Sequence, residues 1–460
     1  MIQLKRQVIR IAISIFLSVI SIPVYSVGLI DAYSLALEHD PTYMAAIKEK
    51  EAGKENANIG MAGLLPKISL NYQNSPRNWQ TQKSRDGDFF GNISEVTRRQ
   101  QYRSYSGSLT LTQPLFDYEA YARYKAGVAQ TLMSDERYRG KLLDLAVRVI
   151  NAYVDVAYSR DQLALISAQK ALYKEQLILN ERLMRAGEGT VTDISETQAR
   201  YNMSGAQEIE ARDALDAARR ELEMIIGMPL NQLDELQKLD PGRFRIVTLS
   251  PSKFEEWKKR ALENNPELAA SRHGVEAARY YVERSRAGFM PQVQLYATHS
   301  ENDSGNNNTV NQKYRTESIG VQVSMQIYAG GGVSALTRQA AANYGKAVYE
   351  MDAQTGTVLN ELRRQYNLCV SSQSKITAYE LAVKSAKMLV TATRQSVMAG
   401  QRVNVDILNA EQQLYRARLD LASARYAYIK SWISLLSYSG TLDKKDVQRV
   451  AQYFSHNSSN

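Results

Sequence analysis

Apolar and polar residues alternate strictly in four short stretches of the chain. Ile319, Val321, Val323, Met325 and Ile327 alternate with Ser318, Gln322, Ser324 and Gln326. Leu109 and Leu111 oppose Ser108, Thr110 and Thr112, and Ile68, Leu70 and Tyr72 oppose Lys67, Ser69, Asn71 and Gln73. A period of two puts each series on its own face of a strand. The pattern predicts strands near residues 65–74, 105–116, 291–299 and 317–328. Between them lie long polar stretches, "RNWQTQKSRDGDFFGN" and "SENDSGNNNTVNQK", which predict loops.

A helical period takes over elsewhere. No proline interrupts Tyr118 to Arg185, which predicts one helix over 118–185, about 100 Å long at 1.5 Å per residue. Further helices are predicted over about 193–227, 332–397 and 405–438. In the last, Ile407, Leu414, Leu421, Tyr428 and Leu435 form a column at a spacing of seven. Leu408, Tyr415, Ala422, Ile429 and Leu436 form the next, and Ala410, Ala417, Ala424 and Ser431 a third, small one. Two apolar columns beside a small one suit a helix with neighbours on two sides, as in a coiled-coil wall. Helices this long need partners along their length.

The pattern occurs twice. "LALEHDPTYMAA" resembles "RALENNPELAAS", with Pro41 matching Pro266, and "LLPKISLNY" resembles "FMPQVQLYA" at the same offset of 225. "LTLTQPLFD" matches "VQVSMQIYA" at an offset of 212, so the first copy carries 13 extra residues between its strands. A loop absorbs such a difference more readily than a packed element. "AGEGTVTDISETQARY" and "AGQRVNVDILNAEQQLY" then match position by position, Gly187 with Gly400 and Asp193 with Asp406. A glycine followed by Asp-Ile and a polar helical run reads as a turn between two helices. The chain divides into a first repeat over 27–228, a linker over 229–250, a second repeat over 251–440 and a C-terminal segment over 441–460.

The N-terminus changes the setting. Lys5, Arg6 and Arg10 precede "IAISIFLSVISI" and then "PVYS", the three parts of a secretory signal peptide over 1–26, with cleavage after Ser26. Its apolar run is short for a membrane-spanning helix. Cleavage takes the formal net charge from +9 to +6. That excess is spread along the helices and does not form the clustered basic face of a nucleic-acid binder. The one cysteine, Cys369, excludes an intrachain disulfide and lies far from the cleavage point, so it is no lipid-attachment site.

An exported chain with no later apolar helix can enter a membrane only with strands. Alternating strands with short turns at one end and long polar loops at the other fit an outer-membrane barrel, although an ordinary sheet on a globular core shares the alternation. Four strands cannot close a barrel, because such barrels need eight or more. Chains must pool their strands, and three would give 12.

The duplicated halves, "LTQPLFD" and the paired turns followed by "VNVDILNAEQQLYRARLDLASARYAYI" together resemble the TolC-like outer-membrane channel-tunnels, which include the exit ducts of type I secretion systems. The likeness covers nearly all of the mature chain. It implies a homotrimer in the Gram-negative outer membrane: a 12-stranded β-barrel in lipid, continued into the periplasm by a 12-helix coiled-coil α-barrel. The linker and the C-terminal segment would form a belt around the α-barrel. It implies no cofactor and no enzyme activity. The partners it implies are a periplasmic adaptor (membrane fusion) protein and an inner-membrane ABC transporter or other pump. Type I protein export is the preferred function. A multidrug-efflux duct is the alternative, and a structural periplasmic coiled-coil protein the rival of another class.

The same likeness places the repeated turns at the periplasmic entrance. There Asp406 matches the first of two aspartates that line the aperture, while the second position is Asn409. A ring of carboxylates in a constriction selects cations. Arg402 matches an arginine that links hairpins through Thr192 and Asp193, and Val397 stands where a tyrosine would make a second link. Each aspartate also has a plain structural role: a carboxylate in the first turn stabilises its helix by a few tenths to about one kcal/mol. Pro114 and the run Gly330, Gly331 and Gly332 fall where strands pass into helices. "YAGGGVSAL" has the context of a phosphate loop but lacks its Gly-Lys-Ser/Thr ending. The four histidines lack metal-site spacing, and no catalytic constellation can be assembled.

Overall fold

A computed structural model describes residues 27–87, 91, 93–230, 236–304 and 312–455. The expected signal peptide, residues 231–235 of the linker and the tail from His456 lie outside the described residues. The elements run α1 (Leu29–His39), α2 (Pro41–Met61), β1 (Lys67–Gly87), β2 (Ile93–Phe116), α3 (Tyr118–Arg185), α4 (Val191–Ile226), β3 (Lys238–Leu239), α5 (Phe254–Asn264), α6 (Pro266–Arg286), β4 (Gln292–Ser304), β5 (Gln312–Ser324), α7 (Gly332–Met398), α8 (Asn404–Tyr438), α9 (Lys444–Ala451) and β6 (Phe454–Ser455). The chain forms two compact units, and α3 and α7 each contribute to both.

One unit, built from 48–138 and 267–355, holds the large sheet. Its order is β1-β2-β4-β5, antiparallel throughout, which leaves β1 and β5 as edges. Register places Ile68 opposite Leu111, Leu70 opposite Leu109, Leu111 opposite Ala297, and Ala297 opposite Ile319. Apolar side chains therefore line one face across all four strands, and Ile68, Leu70, Leu109, Ile319 and Val321 on it are exposed. Lys67, Ser69 and Asn71 pair with Thr112, Thr110 and Ser108 on the other face, continued by Thr298 and Ser318.

Two features differ from the sequence expectation. Residues 74–104 are not a long loop: β1 runs on to Gly87 and β2 starts at Ile93. The 13 extra residues lengthen a hairpin because antiparallel pairing satisfies its backbone internally. β5 stops at Ser324, so Met325 and Ile327 lie beyond the strand. Ser324 pairs with Gln292, and the preceding Pro291 has no N–H with which to extend the ladder.

The passages into the helices use different devices. Pro114 sits where the β2–β4 register shifts, and Asp117 then caps α3 by accepting the Ala120 N–H at 2.9 Å. At the other passage Gly330 and Gly331 take φ of 61° and 80°, a left-handed conformation that suits glycine, and Gly332 opens α7.

The second unit contains 139–266 and 356–460 together with the first residues up to Ile47. Asp40, almost fully buried, caps α2 through the Tyr43 N–H at 2.7 Å and takes both terminal nitrogens of Arg148 at 2.9 Å. Burial pushes its carboxyl pKa up, but the Arg148 guanidinium and the Tyr43 amide prevail and hold it below the usual range. β3 pairs with β6, joining the linker to the C-terminal segment, and Tyr153 stacks edge-on against Phe454. The heptad columns of α8 are largely buried: Tyr428, Ile429 and Leu435 are inaccessible, as is Trp432. Tyr426 donates to Asp161 of α3 at 2.6 Å, and burial raises the Asp161 pKa against that bond. Cys369 of α7 is buried against Ser431 of α8 at 3.4 Å, and burial pushes its thiol up to about 11.

The sheet faces give a direct test. A cation at the midplane on a lipid-facing side costs about 2–4 kcal/mol in a transmembrane barrel. Val323→Arg should therefore cut the yield of membrane-inserted protein severalfold, while Gln322→Arg, on the polar face, leaves it near wild type. Heat-modifiable mobility of membrane extracts checks this: the opposite order of yields would mean that the faces are reversed, and equal yields that both meet the same solvent.

Candidate functional site at the hairpin tips

α3 and α4 form one hairpin and α7 and α8 a second, with the repeated turns at their tips. Both long helices close identically. Glu188 N–H returns to the Leu183 carbonyl at 2.9 Å and Gly187 N–H to Met184 at 3.0 Å. Gln401 N–H returns to Ser396 at 2.9 Å and Gly400 N–H to Val397 at 3.0 Å. This closure needs a left-handed residue, and Gly187 and Gly400 supply it at φ of 80° and 72°.

The following turns diverge. Thr190 accepts the Asp193 N–H at 3.1 Å, while its hydroxyl and its N–H donate to the Asp193 carboxylate at 2.6 and 3.3 Å. That reciprocal capping box commits Asp193 to its own helix end. At the equivalent place α8 has Val403, which offers no side-chain acceptor. Among the described residues the Asp406 carboxylate makes no hydrogen bond or ion pair, although its N–H reaches the Val403 carbonyl at 3.1 Å. Two aspartates that match in the repeat thus differ in availability: Asp193 is occupied and Asp406 is not.

Arg402 is exposed and, among the described residues, has no partner within the chain. Thr192 is likewise exposed, so a single chain does not bring together the arginine, threonine and aspartate of the expected link. Asn409 does have a partner. Arg200 of α4 donates to Asn409 and Gln412 of α8, each at 2.9 Å, and pairs with Glu196 at 2.7 Å. The second ring position therefore carries a guanidinium beside it.

A further cluster joins the hairpins. Asn180 of α3 is buried and donates to Thr197 of α4 at 2.9 Å and to the Asp193 carbonyl at 3.3 Å. Thr197, fully buried, donates to the same carbonyl at 2.7 Å. Gln176 donates to Asn180 at 3.2 Å and to Asn404 at 2.9 Å, and the Asn404 amide donates back to Asn180. Asn404 opens α8, so its side chain ties the second tip to the first hairpin. Sequence reasoning did not find Gln176, Asn180, Thr197, Arg200 or Asn404. The repeat held a partial signal: Asn180 and Thr197 match Thr393 and Ala410, which are also buried, so two polar residues occupy a layer that the second copy fills with smaller, less polar ones.

The second hairpin instead closes on apolar contacts, Ala386 and Val390 against Ala410 and Leu414. Beside them Glu411, nearly buried, accepts from Arg394 at 2.7 Å.

Comparison with known proteins agrees with this architecture. The family model "Outer membrane efflux protein" matches residues 32–228 and 257–441. The alkaline protease secretion protein AprF of Pseudomonas aeruginosa is 47% identical over 443 residues, 95% of this chain and 90% of that protein. The proteases secretion protein PrtF of Dickeya chrysanthemi is 41% identical over 430 residues, 93% of this chain and 91% of its own length. Among solved structures, CusC superposes with a TM-score of 0.75 at 17% identity, covering 90% of this chain and 92% of that one.

The amide cluster makes a local prediction. Asn180→Leu removes the acceptor of the Asn404 amide and one bond each from Gln176 and Thr197, which keep Asn404 and the Asp193 carbonyl, at a cost of about 1–3 kcal/mol. Backbone hydrogen exchange should then accelerate about 5- to 100-fold across the first turns of α4 and α8 while the Tyr428 region keeps its protection. Unchanged exchange at both turns would mean that the cluster does not hold the tips.

Proposed function

The chain belongs to the outer membrane efflux protein family, and from that premise we propose that it is the exit duct of a type I secretion system, with a secreted protease as its cargo. Its place is the outer membrane, from which the helical part extends into the periplasm, and it is a transport channel rather than an enzyme. The observation that carries the duct reading is the four-stranded sheet, apolar on one face and polar on the other, with two unpaired edges. Three such sheets close a 12-stranded barrel around a polar lumen. The names and extensive identity of AprF and PrtF support protein rather than drug export. An inner-membrane ABC transporter and a periplasmic adaptor are the partners this route requires.

The hairpin tips are the entrance in this reading. Asp406 is its selectivity residue, because its carboxylate is free where that of Asp193 is taken by a cap. Three copies form a ring that favours cations. Asn409 does not extend that ring, since the Arg200 guanidinium lies against it. Arg402 is the latch: among the described residues it has no partner in its own chain, and it reaches Thr192 or Asp193 across the interface between protomers. Asn404 holds the two tips of each protomer together, so opening separates protomers before it separates hairpins.

Three measurements test the proposal. In a strain lacking the chromosomal gene, wild type should restore protease to the medium, and the detergent-solubilised species should have three times the mature mass. A conducting monomer would refute the shared barrel. In planar bilayers Asp406→Ala should lower cation selectivity and weaken block by multivalent cations, with the difference fading at 1 M salt, where screening acts within about 3 Å. Arg402→Ser should raise conductance with selectivity unchanged. If neither variant departs from wild type, the entrance is controlled elsewhere.

A further inference from the structure

The β1–β2 hairpin outgrows the sheet. β4 pairs with β2 only over Ser104–Phe116, whereas β1 and β2 continue as a two-stranded ribbon, Asn78–Gly87 against Ile93–Tyr102. Ten residues per strand extend it by about 33 Å. Transmembrane strands need about 9–11 residues, a length already met by the four-stranded part. The ribbon therefore stands beyond the bilayer on the side away from the helices.

A bulge decides which way its side chains face. Between Ser75 and Asn78 the register advances three residues on β1 for two on β2. Asn78 steadies it, donating to the Ser75 carbonyl at 3.3 Å and to Ser104 Oγ at 3.0 Å. One extra residue inverts the parity of β1, so even-numbered residues face outward before it and odd-numbered ones after it. β2 has no bulge here, and its odd-numbered residues face outward throughout.

The outward face therefore reads, from the membrane upward, Leu111, Leu109, Tyr105, Arg103, then Trp79, Arg99, Lys83 and Arg85. Apolar residues give way to interleaved aromatics and cations, Tyr105, Arg103, Trp79 and Arg99, and then to Lys83 and Arg85, with Glu95, opposite Arg85, the one carboxylate among them. All four cations are exposed, and among the described residues none has an ion pair. The opposite face of the ribbon carries glutamines, Asn78, Tyr102 and a single cation, Arg98. The shorter hairpin is different again. Its outward Arg315 is neutralised by Glu301, and the His299 ring lies 3.2 Å from the Glu317 carboxylate.

We propose that the outward face of this ribbon binds the phosphorylated glycolipid of the outer leaflet. The inference rests on the barrel reading. Arg103 and Arg99, just above an apolar and aromatic belt, meet lipid phosphates, with Lys83 and Arg85 farther out along the ribbon, and arginine pairs with a phosphate through two parallel N–H donors. The side they occupy argues against the other anionic candidate, an acidic cargo. Cargo leaves through the lumen, and the lumenal side of the ribbon carries one cation, Arg98, against the four outside.

The test uses the purified trimer in detergent, titrated with bisphosphorylated lipid A, with the same lipid after phosphatase treatment, and with inorganic phosphate. Binding is read by native mass spectrometry, and each preparation is also recorded in planar bilayers. Wild type should prefer the bisphosphorylated lipid, and Arg99→Gln/Arg103→Gln should weaken that binding about tenfold. Adding Lys83→Gln and Arg85→Gln should erase the preference, whereas Arg98→Gln should leave it within about twofold. Conducting variants that bind the lipid as wild type does would overturn the ribbon proposal and leave the duct intact. Equal loss in Arg98→Gln would move the site to the lumen and overturn it too, as would displacement of the lipid by millimolar phosphate. A wild-type protein that never conducts would overturn the duct reading and the proposal with it. Should the fourfold variant fail to assemble, the double variant decides.

Discussion

An open sheet edge cannot survive in hydrocarbon. Each unpaired N–H or C=O there costs several kcal/mol, and the order β1-β2-β4-β5 presents two edges. Neither a longer hairpin nor a loop removes them. Only the edges of other copies do, so β1 of one chain must meet β5 of the next. The polar faces then turn inward and line a water-filled bore, and the apolar faces meet lipid. Once strands are pooled, the long helices that follow them are pooled as well. A helix of 68 residues, such as α3, gains the neighbours it lacks alone.

The tips answer to a different constraint. As the entrance of the proposed duct they have to hold and also yield, and these tasks fall to different chemistry. Within the second hairpin the contact is apolar and needs no partner to complete it. Between hairpins it is a set of polar contacts, Gln176 and Asn180 with Asn404 and Arg200 with Asn409 and Gln412. Such a network is specific in geometry and weak in net energy, because water can replace each bond as the seam opens. The duplicated turns divide in the same spirit. Thr190 keeps one aspartate for folding, and Val403 releases the other.

Much of the fold was legible in the sequence, since it rests on periods. Alternation marked the strand cores around Leu109 and Val321, and a spacing of seven marked the columns of α8. Internal repetition located both glycine turns and the passages between element types. What escaped depends on partners remote in the chain. The ribbon beyond Asn74 has the sequence of a loop because its residues are mostly polar on both faces, and polarity mimics a loop when nothing packs against a strand. The bulge at Ser75 also broke the parity that would have revealed it. At the tips, Asp406 and Asp193 looked equivalent because their motifs match. The difference lay three residues upstream, in the exchange of a threonine for a valine. Asn180, Thr197 and Asn404 are ordinary polar residues in helical runs, and only their convergence from three helices makes them a cluster.

Cys369 carries a consequence for how the chain matures. An exported protein passes through a compartment that oxidises thiols, and a trimer would bring three copies of a lone cysteine into one assembly. Here the sulfur lies between α7 and α8, beside Ser431, and burial keeps it in the unreactive thiol form. That burial is complete within one chain, so the packing of α7 on α8 alone shields the thiol and no contact between protomers is needed for it.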